Sequence, residues 1–113
     1  MKGFYGRILV VSLSEETSHV EPIPDEVLDS YFGGKGLASY LLSKLNPQGV
    51  DPLSPENCII FATGPVTGSA IWGSCRYGVF TKSPQTGFYT ESYSGGKAPE
   101  AIDSTGFDAI VIK

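Results

Sequence analysis

Cysteine is scarce in this chain: Cys58 and Cys75 are the only two in 113 residues, and they form no CxxC pair. The single histidine, His19, stands alone, so the sequence argues against a complete zinc or iron–sulfur site here. Long apolar runs are also missing, and none approaches the ~20 residues of a membrane span. No basic run suggests an anionic membrane surface, and the net charge of −4 removes the electrostatic case for nucleic acid. The opening Met-Lys-Gly-Phe-Tyr-Gly-Arg lacks the apolar core of a signal peptide, so a cytoplasmic location is expected. No serine or cysteine sits in an elbow motif beside a base. Asp25, Glu26, Asp29, Glu91, Asp103 and Asp108 read as caps, helix-start charges or solvated groups. From the residues alone, this is a binding domain and not a self-sufficient catalyst.

What is present is the material of one folded domain. Hydrophobic residues make up 41% and charged residues 18%. A chain this long buries roughly 65% of its unfolded surface, enough for one core. Gly6–Leu13 is an aliphatic, β-branched run and Thr17–Ile23 alternates, so a hairpin is expected across Ser14-Glu15-Glu16. His19 lies within it and reads as a half-exposed strand residue without a partner. Pro24-Asp25-Glu26 opens a short helix with Val27, Leu28, Tyr31 and Phe32 as its apolar stripe. Gly33-Gly34-Lys35-Gly36 breaks it, and Leu37–Leu45 forms a second helix, ended by Asn46-Pro47. A glycine loop before a helix can hold an anion, but the GxxxxGK[ST] spacing is missing. The spacing favours a helix–helix turn with a solvated lysine.

Cys58–Ala62 is a continuous apolar strand, expected to be buried on both faces with Cys58 as a small core residue. Trp72 follows in a glycine-bounded loop, where it caps a ligand pocket or anchors to the core. Lys97–Ser104 is a short helix, and Ala109–Ile112 is a last apolar strand. The stop at Lys113, straight after that strand, leads us to expect a piece of a longer protein.

The stretch Gly73–Gly96 carries the binding chemistry. Two aromatic-rich strands flank a Ser-Pro-Gln-Thr-Gly turn. In such a hairpin the start of the first strand lies beside the end of the second. Arg76 and the bare Gly95-Gly96 backbone therefore meet at one end, with Ser74, Lys82 and Ser94 as further candidates. Arginine offers a planar fork for a phosphate or a fused heterocycle, and glycine lets a backbone approach a flat ligand. The plain alternative, a strand-to-helix turn beside a surface arginine, stands equally. Cys75 next to Arg76 admits a reactive thiol as the minor reading.

Taken in order, several blocks resemble the N-terminal domain of aldehyde ferredoxin oxidoreductases, the tungstopterin enzymes. They are Tyr31-Phe32-Gly33-Gly34-Lys35-Gly36-Leu37-Ala38, Asp51-Pro52-Leu53-Ser54-Pro55-Glu56-Asn57 and Phe61-Ala62-Thr63-Gly64-Pro65-Val66-Thr67-Gly68. Ser74-Cys75-Arg76, Thr81-Lys82-Ser83-Pro84, Ser94-Gly95-Gly96 and Gly106-Phe107-Asp108-Ala109-Ile110-Val111-Ile112 complete the set. The resemblance implies an α+β fold: a mixed or antiparallel β-sheet with a few helices packed on it. It implies a cofactor of one tungsten (molybdenum in some relatives) held by two pterins, with magnesium between their phosphates. Arg76 would contact a pterin. Tyr93 and Gly95 would contact pterin and magnesium-bridged phosphate through main-chain groups, flanked by Ser74, Ser94 and Gly96. The full enzymes oxidise aldehydes to carboxylic acids and pass electrons through a [4Fe–4S] cluster to ferredoxin.

Two departures stand out. Cys75 occupies the second serine position of a Ser-Ser-Arg motif, and Tyr93 stands where asparagine is usual. The resemblance further implies that residues 1–113 are the first half of a duplicated domain, with cluster ligands and substrate pocket elsewhere. Such a piece would not turn over aldehydes alone. It would expose an apolar sheet face and associate with itself or a partner, and an oligomer burying the last strand, Ala109–Ile112, would favour this picture. The alternative is a stand-alone, non-enzymatic α+β module for a phosphate-bearing ligand or a partner protein.

Overall fold

The computed structural model describes residues 2–113. Six strands form one sheet: β1 (Arg7–Ser12), β2 (Thr17–Pro22), β3 (Ile59–Thr63), β4 (Tyr77–Lys82), β5 (Tyr89–Ser94) and β6 (Ala109–Ile112). Their order across the sheet is β2-β1-β6-β3-β4-β5. Only β1 and β6 run parallel, and the other neighbours are antiparallel. The α+β class and the mixed sheet are as the sequence and the resemblance imply. β6 is not at an edge, because it is clasped between β1 and β3. An association that buries the last strand would therefore act through its half-buried side chains Ile110 and Ile112, since its backbone is already paired on both sides.

Three helices accompany the sheet: α1 (Asp25–Tyr31), α2 (Gly34–Leu45) and α3 (Ala98–Asp103). α2 lies across β3, β4 and β6 and against α1. Its residues Leu37, Ala38, Leu41 and Leu42 are all buried, one stripe at helical spacing. They meet Ile8, Val10, Ile60, Ala62, Phe80, Ala109 and Val111 from alternate strand positions, with Leu28 of α1 closing the cluster. The intervening residues, including Leu9, Val11, Phe61, Val79, Ile110 and Ile112, face the other way and stay only half-buried. β3 is thus buried on one face, not on both as its apolar run suggests. The stripe read onto α1 is also only partly buried: Leu28 is inside, whereas Tyr31 and Phe32 are 46% and 63% exposed.

The glycines of the Tyr31–Ala38 block have a packing cause. α2 begins at Gly34, so Gly34-Lys35-Gly36 is its first turn and not a preceding loop. A Cβ on Gly36 would run into the Tyr31 carbonyl oxygen, and one on Gly33 would lie 3.1 Å from the Thr63 carbonyl oxygen. Phe32 caps α1 at φ 61°, its N–H donating to the Leu28 carbonyl. Its ring meets Phe4 edge-on at 6.2 Å. Only backbone without side chains lets two helices turn this tightly against each other and the sheet.

Candidate functional site

The β4–β5 hairpin has the register the sequence predicts. Tyr77 lies opposite Ser94 at one end and Lys82 opposite Tyr89 at the other. Arg76 and Gly95 therefore meet just beyond the open end. A Cβ on Gly95 would sit 3.2 Å from the Cys75 carbonyl oxygen and 3.9 Å from Arg76 Nε, so the glycine backbone lies directly against the arginine. Gly96 follows at φ 83° with open space where a side chain would be, a left-handed turn that suits glycine. Ser94 and Gly96 are exposed and Gly95 is half-buried.

Arg76 is held by its backbone and free at its head. Its N–H donates to the Ser74 carbonyl at 3.1 Å, and its own carbonyl accepts from the Thr67 hydroxyl at 3.3 Å. Among the described residues, no carboxylate is paired with its guanidinium. Ser74 turns its hydroxyl away, donating to the Ile71 carbonyl at 2.7 Å, so it shapes the loop. Cys75 is exposed, while Cys58 is buried and burial pushes its thiol up. Trp72 is 98% exposed, which removes the reading of it as a core anchor.

Tyr93 pairs with Gly78 in the ladder, and its ring lies edge-on to Phe80 at 5.8 Å. A Cβ on Gly78 would strike both rings, so this glycine makes the space they share. Burial, then the neighbouring Glu91 charge, raises the Tyr93 hydroxyl above its ordinary value. That side chain faces the helix layer, leaving only its main chain to serve the hairpin end. Lys82, grouped with Arg76 by sequence, belongs to the opposite end of β4, roughly 17 Å from Tyr77 at ~3.3 Å per strand residue.

Several contacts escape a linear reading. Lys35 is not merely solvated and Glu91 is not a lone surface charge: Lys35 Nζ lies 2.9 Å from Glu91 Oε2, tying α2 to the edge strand β5. Tyr89 adds a hydroxyl to Glu91 at 3.4 Å and accepts one from Ser39 at 3.1 Å. His19 does have a partner, Glu21 Oε1 at 2.7 Å, two residues along the same strand. Asp108 is buried and accepts the N–H groups of Tyr5 and Gly6 at 3.0 and 2.8 Å, so it anchors the N-terminal segment and is no solvated charge. Thr67, 7% exposed, bonds both the Gly64 N–H and the Arg76 carbonyl. The Thr-Gly-Pro-Val-Thr-Gly turn was the only signal in the sequence for that clamp.

Among the described residues there is no group of three His, Cys, Asp or Glu side chains that could hold a metal. Among these residues no helix is long and apolar enough to cross a membrane.

Comparison with known proteins agrees with the architecture. The family model described as "Aldehyde ferredoxin oxidoreductase, N-terminal domain" matches residues 8–113. The chain is 45% identical over its whole length to the tungsten-containing aldehyde ferredoxin oxidoreductase of Pyrococcus furiosus, and 44% to that of Thermococcus kodakarensis. It spans 19% of the length of each. Among solved structures, the active-site complex BamBC of benzoyl coenzyme A reductase, solved with 1,5-dienoyl-CoA, superposes with a TM-score of 0.94 at 31% identity. That likeness covers 99% of this chain and 17% of the other. With a family match over nearly all its residues and 45% identity along its whole length, the chain belongs to the aldehyde ferredoxin oxidoreductase family, through its N-terminal domain.

Proposed function

We propose that residues 1–113 form one part of a pterin-binding domain whose remainder lies in a longer polypeptide. The observation that carries this reading is the Arg76 guanidinium, without an acidic partner among the described residues, lying against the Gly95 backbone. The residues present fit an anionic, flat group: one planar fork of donors and a backbone open at Gly96. Arg76 would hold pterin or its phosphate, and the main chain of Ser94, Gly95 and Gly96 would lie along the ring edge. Ser74 would set the loop that aims Arg76. A magnesium ion would rest on the Tyr93 main chain and the cofactor's own phosphates. That contact tolerates tyrosine for asparagine, since the tyrosine ring is engaged with Phe80.

When bound, a tungsten bis-pterin supplies the two-electron chemistry that takes an aldehyde to a carboxylic acid, and the protein positions it. Ferredoxin as acceptor, and the [4Fe–4S] cluster that would reach it, belong to the longer polypeptide. The half-buried apolar face of the sheet supports association with further chain or with a second copy. A stand-alone phosphate-binding module would use the same arginine but would have no need of so apolar an open face.

Reconstitution with tungstopterin tests the reading. Wild type is expected to retain pterin, and Arg76→Ala to lose about tenfold in retention with unchanged circular dichroism. Equal retention by both would take Arg76 out of the role.

A further inference from the structure

The far end of the same hairpin holds a groove of about 530 Å³ between α2 and the β4–β5 turn. Its walls are mainly apolar, with Leu42 and Val50 buried at 7% and 6% exposure. Phe88 forms the outer rim and is 75% exposed, an aromatic ring with nothing to cover it. One cation enters this space. Lys82 is half-buried, and its Nζ donates to the Val50 carbonyl at 2.6 Å. Among the described residues it has no carboxylate partner, so two of its three N–H donors are unused.

The hydroxyls that line the groove are already engaged, that of Thr81 with the Cys58 carbonyl at 2.7 Å. The Ser43 hydroxyl donates to the Tyr40 carbonyl at 2.7 Å, and that of Ser39 donates to Tyr89. Tyr89 passes its own proton toward Glu91, whose charge is matched by Lys35. No acidic side chain lines the groove, and Lys82 is the one charged side chain in its lining. A volume of this size suits a small molecule, and one fixed polar anchor in an apolar cleft selects for head and tail.

We propose that this groove binds a small monocarboxylate with an apolar body, its carboxylate on Lys82 and its tail between Leu42, Val50 and Phe88. The inference does not depend on the pterin reading, because the two sites occupy opposite ends of β4 and β5.

Titration of the isotope-labelled chain with octanoate, and with 1-octanol as the uncharged control, tests it. Octanoate is expected to bind saturably, shifting the amide signals of Leu42, Gly87 and Phe88 while those of Arg76 and Gly95 stay still. Octanol should bind about tenfold more weakly. Lys82→Met should abolish that preference and Lys82→Arg should keep it. Should the methionine variant fail to fold, the arginine variant and Phe88→Ala decide: retained preference in the first and severalfold weaker binding in the second support the proposal. Equal binding of octanoate and octanol by wild type, no saturable binding, or shifts confined to the Arg76–Gly95 end would overturn it.

Discussion

The two faces of the sheet are built from the same strands and much the same residues, yet they end in opposite states. Phe80 and Val79 are neighbours on β4. Phe80 is fully buried under α2, whereas Val79 is half-buried on the open side. Likewise Ile60 is fully buried, while Phe61 remains reachable and stacks on Tyr77 at 6.5 Å. Hydrophobicity did not choose between the faces. Among the described residues there is one long helix, α2, and it covers only one of them, so connectivity concentrated burial on one side and left a half-buried apolar surface on the other.

Truncation on each face should break this symmetry most clearly. Phe80→Ala removes a fully enclosed ring and should cost about 3–5 kcal/mol, whereas Val79→Ala should cost about 1 kcal/mol or less. Urea unfolding of both variants measures the gap, and similar losses would mean that the open face is covered in solution. A smaller effect on stability is expected from Phe61→Ser on that same open face. Its expected signature is in light scattering: wild type self-associates and the variant shifts toward monomer, whereas a monomeric wild type or an unchanged profile would remove this face from any association.

The smallest effect concerns the Lys35–Glu91 contact, which pins α2 to β5 and is solvent-exposed. The hydrogen bond from Lys35 holds the Glu91 carboxyl below its ordinary 4.5, and Glu91 in turn holds the Lys35 ammonium above its ordinary 10.5. A lowered carboxyl contributes stability above its unfolded value and loses it as pH falls through the folded one. A raised ammonium contributes below its unfolded value and loses it as pH rises through the folded one. The contact therefore contributes across neutral pH and fades at either extreme. Lys35→Gln should flatten the acid limb of a melting-temperature profile below pH 4.5 only slightly, since exposed pairs are weak and salt-screened.

Much of the hairpin site could be read from residue order, because a two-strand unit has a register fixed by its own turn. Arg76 beside Gly95 follows from local sequence alone. Lys82 did not belong with them, and the strand length between Tyr77 and Lys82 contained that information. What residue order could not supply were the links between distant segments. Lys35 finds Glu91 across 56 residues and Asp108 finds Tyr5 across 103. A charge in isolation looks solvated until the fold brings its partner.

The sequence by itself determined the elements. Alternation made the strands, helical spacing made α2, and a set of glycines made the turns where side chains would collide. The ordered blocks also identified the family. Only the tertiary structure decided which face of the sheet α2 would cover, that β6 would close the gap between β1 and β3, and that the two ends of one hairpin would hold two different cations. The physical reason is that periodicity specifies which residues share a face. What a face meets depends on segments far away in the chain, and burial is settled only when they arrive.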